Sequence, residues 1–208
     1  LALVHARTGT LQLQNLESND AFNAQPIADY GRIVGDDDRL NFYGDDLSRF
    51  SDLDQSPDFP LTAKLARQTY RQVRGISPKG VIAMDEHALQ GLMRIAGPVM
   101  VMGTQVDAGN IVEYVAKDVY SVFSTKPYDA AVAEKDRRLH IIMQHVFANL
   151  TGSAASRLKA LVAVASAAID GRVALWSADP SEQQRIAQTP LGRVVGRSGG
   201  PEIGRAHV

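Results

Sequence analysis

The chain has 208 residues, 45% of them hydrophobic and 22% charged, which suits one packed domain and excludes a disordered chain. A net charge of −1 excludes the broad basic field of a nucleic-acid-binding protein, and the absence of cysteine excludes disulfides and thiolate metal sites. No apolar run reaches the roughly 18 residues needed to span a bilayer.

Residues 1–7 alternate loosely, Thr8-Gly9 offers a turn, and "TLQLQNL" (residues 10–16) alternates cleanly, so the chain opens as a β-hairpin with Leu11, Leu13 and Leu16 facing inward. A polar insertion follows over residues 17–60. Between Glu17 and Asp58 it holds eleven acidic residues against three arginines, the pattern of a solvated acidic loop. It closes on "SDLDQSPDFP" (residues 51–60). Pro60 sits where a first helical turn accepts proline, so Asp58 is placed to cap a helix that carries Leu61, Leu65, Tyr70 and Val73 on one side.

The continuous apolar run "GVIAM" (residues 80–84) reads as a strand buried on both faces. Asp85 then caps a helix with the stripe Leu89, Leu92, Met93 and Ala96, Gly97-Pro98 ends it, and "VMVM" starts another strand. Asp107 or Asn110 caps "IVEYVAKDVYSVF". A longer helix over about 128–150 turns Leu139, Ile142, Met143, Val146 and Phe147 inward. Ser153 caps a helix whose apolar stretch "LKALVAVASAAI" (residues 158–169) reads as the central buried helix. "RVALWSA" is a strand, and Asp179-Pro180 opens a short last helix.

This interleaving predicts an α/β fold: a single three-layer domain over residues 1–201, with a mixed β-sheet flanked by helices. The strands at 1–7, 10–16, 80–84, 99–102 and 173–177 are expected to share that sheet. The first residue already lies in a strand, which predicts that the natural protein starts further upstream. Residues 202–208, "EIGRAHV", match one reading frame of a common sequencing-adapter DNA and are expected to be read-through.

Four groups of residues invite chemistry. Arg137-Arg138 is the best-placed cationic pair for a phosphate, although adjacent helix residues point about 100° apart. Asp52, Asp54 and Asp58 offer hard oxygen ligands for Mg²⁺ or Ca²⁺, but in no EF-hand spacing. His140 and His145 are five apart, which is not the spacing of a helical metal pair. Trp176 reads as packing within a strand. No nucleophile elbow, phosphate loop or dinucleotide loop is present.

The segments "SPDFP" (56–60), "GVIAMDEHALQGLMRIAGPVMV" (80–101), "NIVEYVAKDVY" (110–120) and "ALWSADPSEQ" (174–183), in this order and spacing, resemble the bacterial domain-of-unknown-function family 4012. Members usually carry an Arg-Asp-Ala-Asn-Trp lead-in, where this chain has Ser51-Asp52-Leu53-Asp54-Gln55. The resemblance implies an extracytoplasmic envelope domain, membrane-anchored through an upstream segment; the expectation drawn here is that such a domain binds a cell-wall glycan or an envelope protein. The layout is also similar to that of the LytR-CpsA-Psr transferases of glycopolymers from polyprenyl-pyrophosphate carriers. On that alternative the catalytic residues would be Asp52, Asp58, Arg137 and Arg138. Asp52 and Asp54 would hold Mg²⁺, and the partner would be a polyprenyl-phosphate lipid.

Overall fold

The computed structural model describes residues 2–7, 10–17, 19–23, 26–35 and 50–192. The Thr8-Gly9 turn, most of the acidic insertion and the 202–208 tail lie outside these residues. Strands β1 (Ala2–Arg7) and β2 (Thr10–Leu16) form the expected antiparallel hairpin, with Val4 opposite Leu13. A 3₁₀ turn over Asn19–Phe22, a single helical turn α1 (Tyr30–Ile33) and a 3₁₀ helix over Phe50–Gln55 lead to helix α2 (Phe59–Arg74). Strand β3 (Gly80–Met84), helix α3 (Glu86–Ala96) and the strands β4 (Val99–Val101) and β5 (Thr104–Val106) come next. The short helix α4 (Ile111–Glu113) runs on into a π turn over Tyr114–Asp118 and a 3₁₀ turn over Ser121–Ser124. Helices α5 (Tyr128–Thr151) and α6 (Ala154–Ile169), strand β6 (Val173–Ser177) and helix α7 (Pro180–Ile186) complete the fold.

Helices and strands interleave as expected, and the protein is mixed α/β. Among the described residues the expected single sheet is not formed. The strands pair two by two, β1 with β2, β3 with β6 and β4 with β5, and all three pairs are antiparallel. The reason is local at β4. Met102 and Gly103 both take positive φ, 51° and 89°, the two-residue turn that folds a strand directly back on itself. "VMV" therefore pairs back on β5, and among the described residues no strand joins its other edge. Strand β3 is correspondingly an outer strand: Ile82 is 60% exposed, whereas its partner β6 is buried at Val173, Ala174, Trp176 and Ser177.

Two apolar clusters hold the elements together. The larger one joins Leu89 and Met93 of α3, Val101 and Val106 of the β4–β5 hairpin, Ile111 of α4 and Ile142 and Val146 of α5. The smaller one gathers Ile27, Val34, Leu53, Leu61 and Leu65 around α2. Beside it the Phe22 ring lies between Phe50 and Tyr70, each with centroids 5.5 Å away, and carries the Arg74 guanidinium 5.4 Å above it.

Helix α6 departs most from expectation. It was expected at the centre, yet Leu158, Leu161, Val162 and Ile169 are each 64–74% exposed, and of its residues only Ala168 is buried. The helix is apolar nearly all round, so composition could not say which side packs. The side that does pack carries the small residues Ala160 and Ala163 together with Val164, which let α3 and α5 approach closely. Among the described residues no single helix is long and apolar enough to cross a membrane; α5 and α6 together have the length but are bent by 117°.

Candidate functional site

The "SPDFP" stretch builds a rigid turn. Ser56 is buried, and its hydroxyl accepts the Asp58 N–H at 3.1 Å. Thr62 donates its hydroxyl to the Leu53 carbonyl at 2.9 Å, tying the 3₁₀ helix to α2. Asp58 occupies the N-cap position, but its carboxylate makes no capping hydrogen bond, contrary to expectation. Pro60 has no N–H to give, and the Leu61 and Thr62 N–H groups already donate to the Asp58 carbonyl, each at 3.1 Å. The backbone thus takes up the donors that the side chain was expected to bind. Asp52 is half-buried in the 3₁₀ helix, and the Asp54 side chain lies outside the described residues. Among the described residues no group of three carboxylates or histidines is arranged to hold a metal ion.

Three of the other expected caps form, whereas at the start of α4 Asn110 makes no capping hydrogen bond and Asp107 accepts the Gly109 N–H instead. Ser153 accepts the Ser156 N–H at 3.0 Å, and Asp179 accepts those of Ser181 and Glu182, each at 2.9 Å. Asp85 accepts the Ala88 N–H at 2.9 Å and also the Arg172 guanidinium at 2.9 Å, so one carboxylate starts α3 and pins it to the foot of β6. Burial pushes the Asp85 carboxyl up, but the Ala88 N–H and Arg172 outweigh it and hold the group below the ordinary aspartate range. Asp85→Ala is expected to cost about 1 kcal/mol in urea melts at neutral pH. The Asp85 contribution is fully present above the unfolded aspartate pKa of about 3.9 and is lost as pH falls through the lower folded value. The gap between wild type and Asp85→Ala should therefore close only in acid; a gap that is the same at neutral pH and well below the folded pKa would refute the assignment.

Arg137 and Arg138 diverge, as their spacing requires. Arg137 is exposed, whereas Arg138 turns inward and pairs with Glu134 at 2.6 Å. A second guanidinium nitrogen of Arg138 donates to the Asp118 carbonyl at 2.9 Å, tying α5 to the π turn. Lys126 pairs with the same Glu134. Lys126 and then Arg138 hold the Glu134 carboxyl below its ordinary range, and burial drives the nearby Tyr114 hydroxyl up. Asp52 lies in the 3₁₀ helix and Asp58 at the start of α2, beside the smaller cluster, and the two arginines lie on α5, which contributes to the larger one.

Sequence reading missed the surface beside this ion cluster. The π turn, closed by the Val119 N–H on the Tyr114 carbonyl at 2.9 Å, buries Val119 completely and leaves Tyr120 54% exposed. The Ser121 and Ser124 hydroxyls bond back to the Asp118 and Ser121 carbonyls, each at 2.7 Å, and fix the following turn. The rings of Tyr120 and Phe123 then lie 6.3 Å apart, and those of Phe123 and Tyr128 5.8 Å apart. Tyr128 is 64% exposed. Three rings thus form an open ladder, and Lys126, which pairs with Glu134, lies between Phe123 and Tyr128 in the chain. The signal was available in "YSVFSTKPY", three aromatics within nine positions of a chain that is only 6% aromatic.

A second feature, an open groove of about 710 Å³, runs between α3 and α6. It is lined by Gly91, Ile95, Val162 and Ala163 together with Arg94, Lys159 and Arg172.

Fold and surface together define a mixed α/β protein whose exposed features are an aromatic ladder and a helix-walled groove. A family model described as "Protein of unknown function (DUF4012)" matches residues 1–120, more than half of the chain, and the chain belongs to that family. The match takes in the turn before α2, the β3–α3–β4 segment and the π turn through Tyr120; "ALWSADPSEQ" lies beyond it. Neither a curated protein nor a solved structure matches the chain.

Proposed function

We propose that the chain is a binding domain of the bacterial cell envelope, lying outside the cytoplasm and anchored through an upstream segment. Its ligand is a cell-wall glycan taken on the ladder of Tyr120, Phe123 and Tyr128. The observation that supports this is the pairing of exposed rings with fixed charges. A sugar ring presents an apolar C–H face and a rim of hydroxyls, so it suits aromatic faces with polar groups at their edge. The ladder supplies the faces. Lys126, 44% exposed, and Glu134 supply the edge, held in place by Arg138. Arg138 is committed to Glu134 and the Asp118 carbonyl, which supports an ordering role for it over one in phosphate chemistry.

Soluble peptidoglycan fragments and N-acetylglucosamine oligomers, titrated by calorimetry, test this reading. Tyr120→Ala is expected to weaken binding at least tenfold, roughly what loss of a central aromatic contact costs, without lowering the melting temperature, since the ring is exposed. Binding that survives in Tyr120→Ala and Tyr128→Ala alike would overturn the assignment of the ladder, and no binding to any fragment at millimolar concentration would overturn the glycan.

A second reading, transfer of a glycopolymer from a polyprenyl-pyrophosphate carrier with Mg²⁺, is favoured by the groove alone. Its apolar lining residues suit an isoprenoid chain, and Arg94 and Lys159 suit a pyrophosphate. That reading would use these cations in place of Arg137 and Arg138.

A further inference from the structure

Leu158, Leu161, Val162, Ala165, Ser166 and Ile169 are all exposed. They fall at i, i+3, i+4, i+7, i+8 and i+11, one continuous face of α6 that is apolar except for Ser166. A stripe of that spacing is what one helix presents to another. We propose that this face is the contact of a two-fold dimer, in which α6 packs antiparallel on α6 of a second copy.

The sequence of the helix is complementary to its own reverse. With Leu158 set opposite Ile169 of the second copy, Val162 falls opposite Ala165, and the small Ala165 near the dyad permits an interaxial distance of about 8–10 Å. The same register brings Lys159 within two residues, about 3 Å along the axis, of the level of Asp170 in the second copy. Both flank the stripe on the same side. A dyad perpendicular to the helix pair therefore places each lysine beside the other copy's aspartate, twice over. Among the described residues neither Lys159 nor Asp170 makes an ion pair. Arg157, the other cation at this end, is already engaged with the Thr151 carbonyl at 3.0 Å. On α6 itself Lys159 and Asp170 flank this face at opposite ends; Arg94 and Arg172, which line the adjoining groove, bond Gln90 and Asp85, so α6 does not carry the polybasic flank of a helix that lies on anionic lipid. It does have the two-ended complementarity that a second copy satisfies.

Sedimentation equilibrium of the whole chain, from about 1 to 500 μM, should show a monomer–dimer equilibrium. Val162→Arg, at the centre of the stripe, is expected to weaken dimerisation more than tenfold, the order seen when a buried contact is replaced by an unpaired charge. Lys159→Asp and Asp170→Lys should each weaken it roughly tenfold, because two pairs become repulsive. The double variant Lys159→Asp/Asp170→Lys should return to within about twofold of wild type, since the opposite charges are again paired. All of these positions are exposed, so far-UV circular dichroism should be unchanged, and the charge swap still decides the matter should Val162→Arg not fold. A monomer at every concentration overturns the proposal, and so does a dimer indifferent to Val162→Arg or a double variant as weak as either single one. Binding of a monomeric chain to phosphatidylglycerol vesicles, abolished by Val162→Arg, would also overturn it and give the face to lipid.

Discussion

Ile142→Ala is expected to cost about 2–5 kcal/mol of stability in urea unfolding, and Leu161→Ala less than about 0.5 kcal/mol. Both are large aliphatic residues in long apolar helices, and composition alone ranks α6 as the more deeply buried of the two. The structure reverses that order. Ile142 is 0% exposed, in the cluster that joins α5 to α3 and to the β4–β5 hairpin. Removing its side chain forfeits the transfer free energy and leaves a cavity among neighbours that are themselves fully buried, Met93 and Val146 included. Leu161 is 67% exposed, so truncation removes little that folding had taken from water, and alanine is the better helix former. The melts belong at a concentration where the chain is monomeric, since dimer contacts would add to the apparent stability. A cost at Leu161 as large as that at Ile142 would restore α6 to the centre of the protein and remove the free face.

The contrast shows where sequence carries structural information and where it does not. Helix α3 was legible because Leu89, Leu92, Met93 and Ala96 recur at helical spacing among polar residues, and each of them is buried. Helix α6 is apolar on nearly every side, so periodicity had no polar face to work from. The caps at Asp85, Ser153 and Asp179 were legible because a cap needs only a carboxylate or hydroxyl two or three residues ahead of a free N–H. Asp58 looks identical in sequence; the difference lies in Pro60, which has no N–H, and in the Leu61 N–H, which donates to the Asp58 carbonyl instead of its carboxylate. Strand pairing was the least legible feature. "GVIAM" has the composition of a central strand, yet which strands meet depended on the positive φ of Met102, which no propensity favours. The aromatic ladder escaped for a related reason. Val119 and Tyr120 are adjacent, and only the π turn sends one to the core and the other to the surface.

Gly80→Ala should destabilise the protein by about 1–3 kcal/mol and loosen β3 from β6, the expected range for overpacking at a site that cannot relax. A Cβ at Gly80 would stand 2.7 Å from the Trp176 carbonyl oxygen, a backbone atom of the paired strand. Relief would require β6 to move, and β6 is held from several sides. Trp176 and Ser177 are buried, the Ser177 N–H donates to Gln183 Oε1 at 2.8 Å, and its hydroxyl donates to Glu182 Oε2 at 2.7 Å. The Ala178 N–H meets the Lys79 carbonyl at 2.8 Å immediately beside the clash. The strain therefore falls on β3, an outer strand free to swing outward, and hydrogen exchange at the β3 amides should accelerate together with those of their β6 partners. Gly91 supplies the control. It lies inside α3 with nothing within 4 Å of an added Cβ. Gly91→Ala should leave the strand amides unchanged and raise stability by about 0.5–1 kcal/mol, the ordinary gain from replacing glycine in a helix. Were Gly80→Ala as benign as Gly91→Ala, the close approach of β3 to the Trp176 carbonyl would be wrong, and with it the pairing that fixes where Asp85 starts α3.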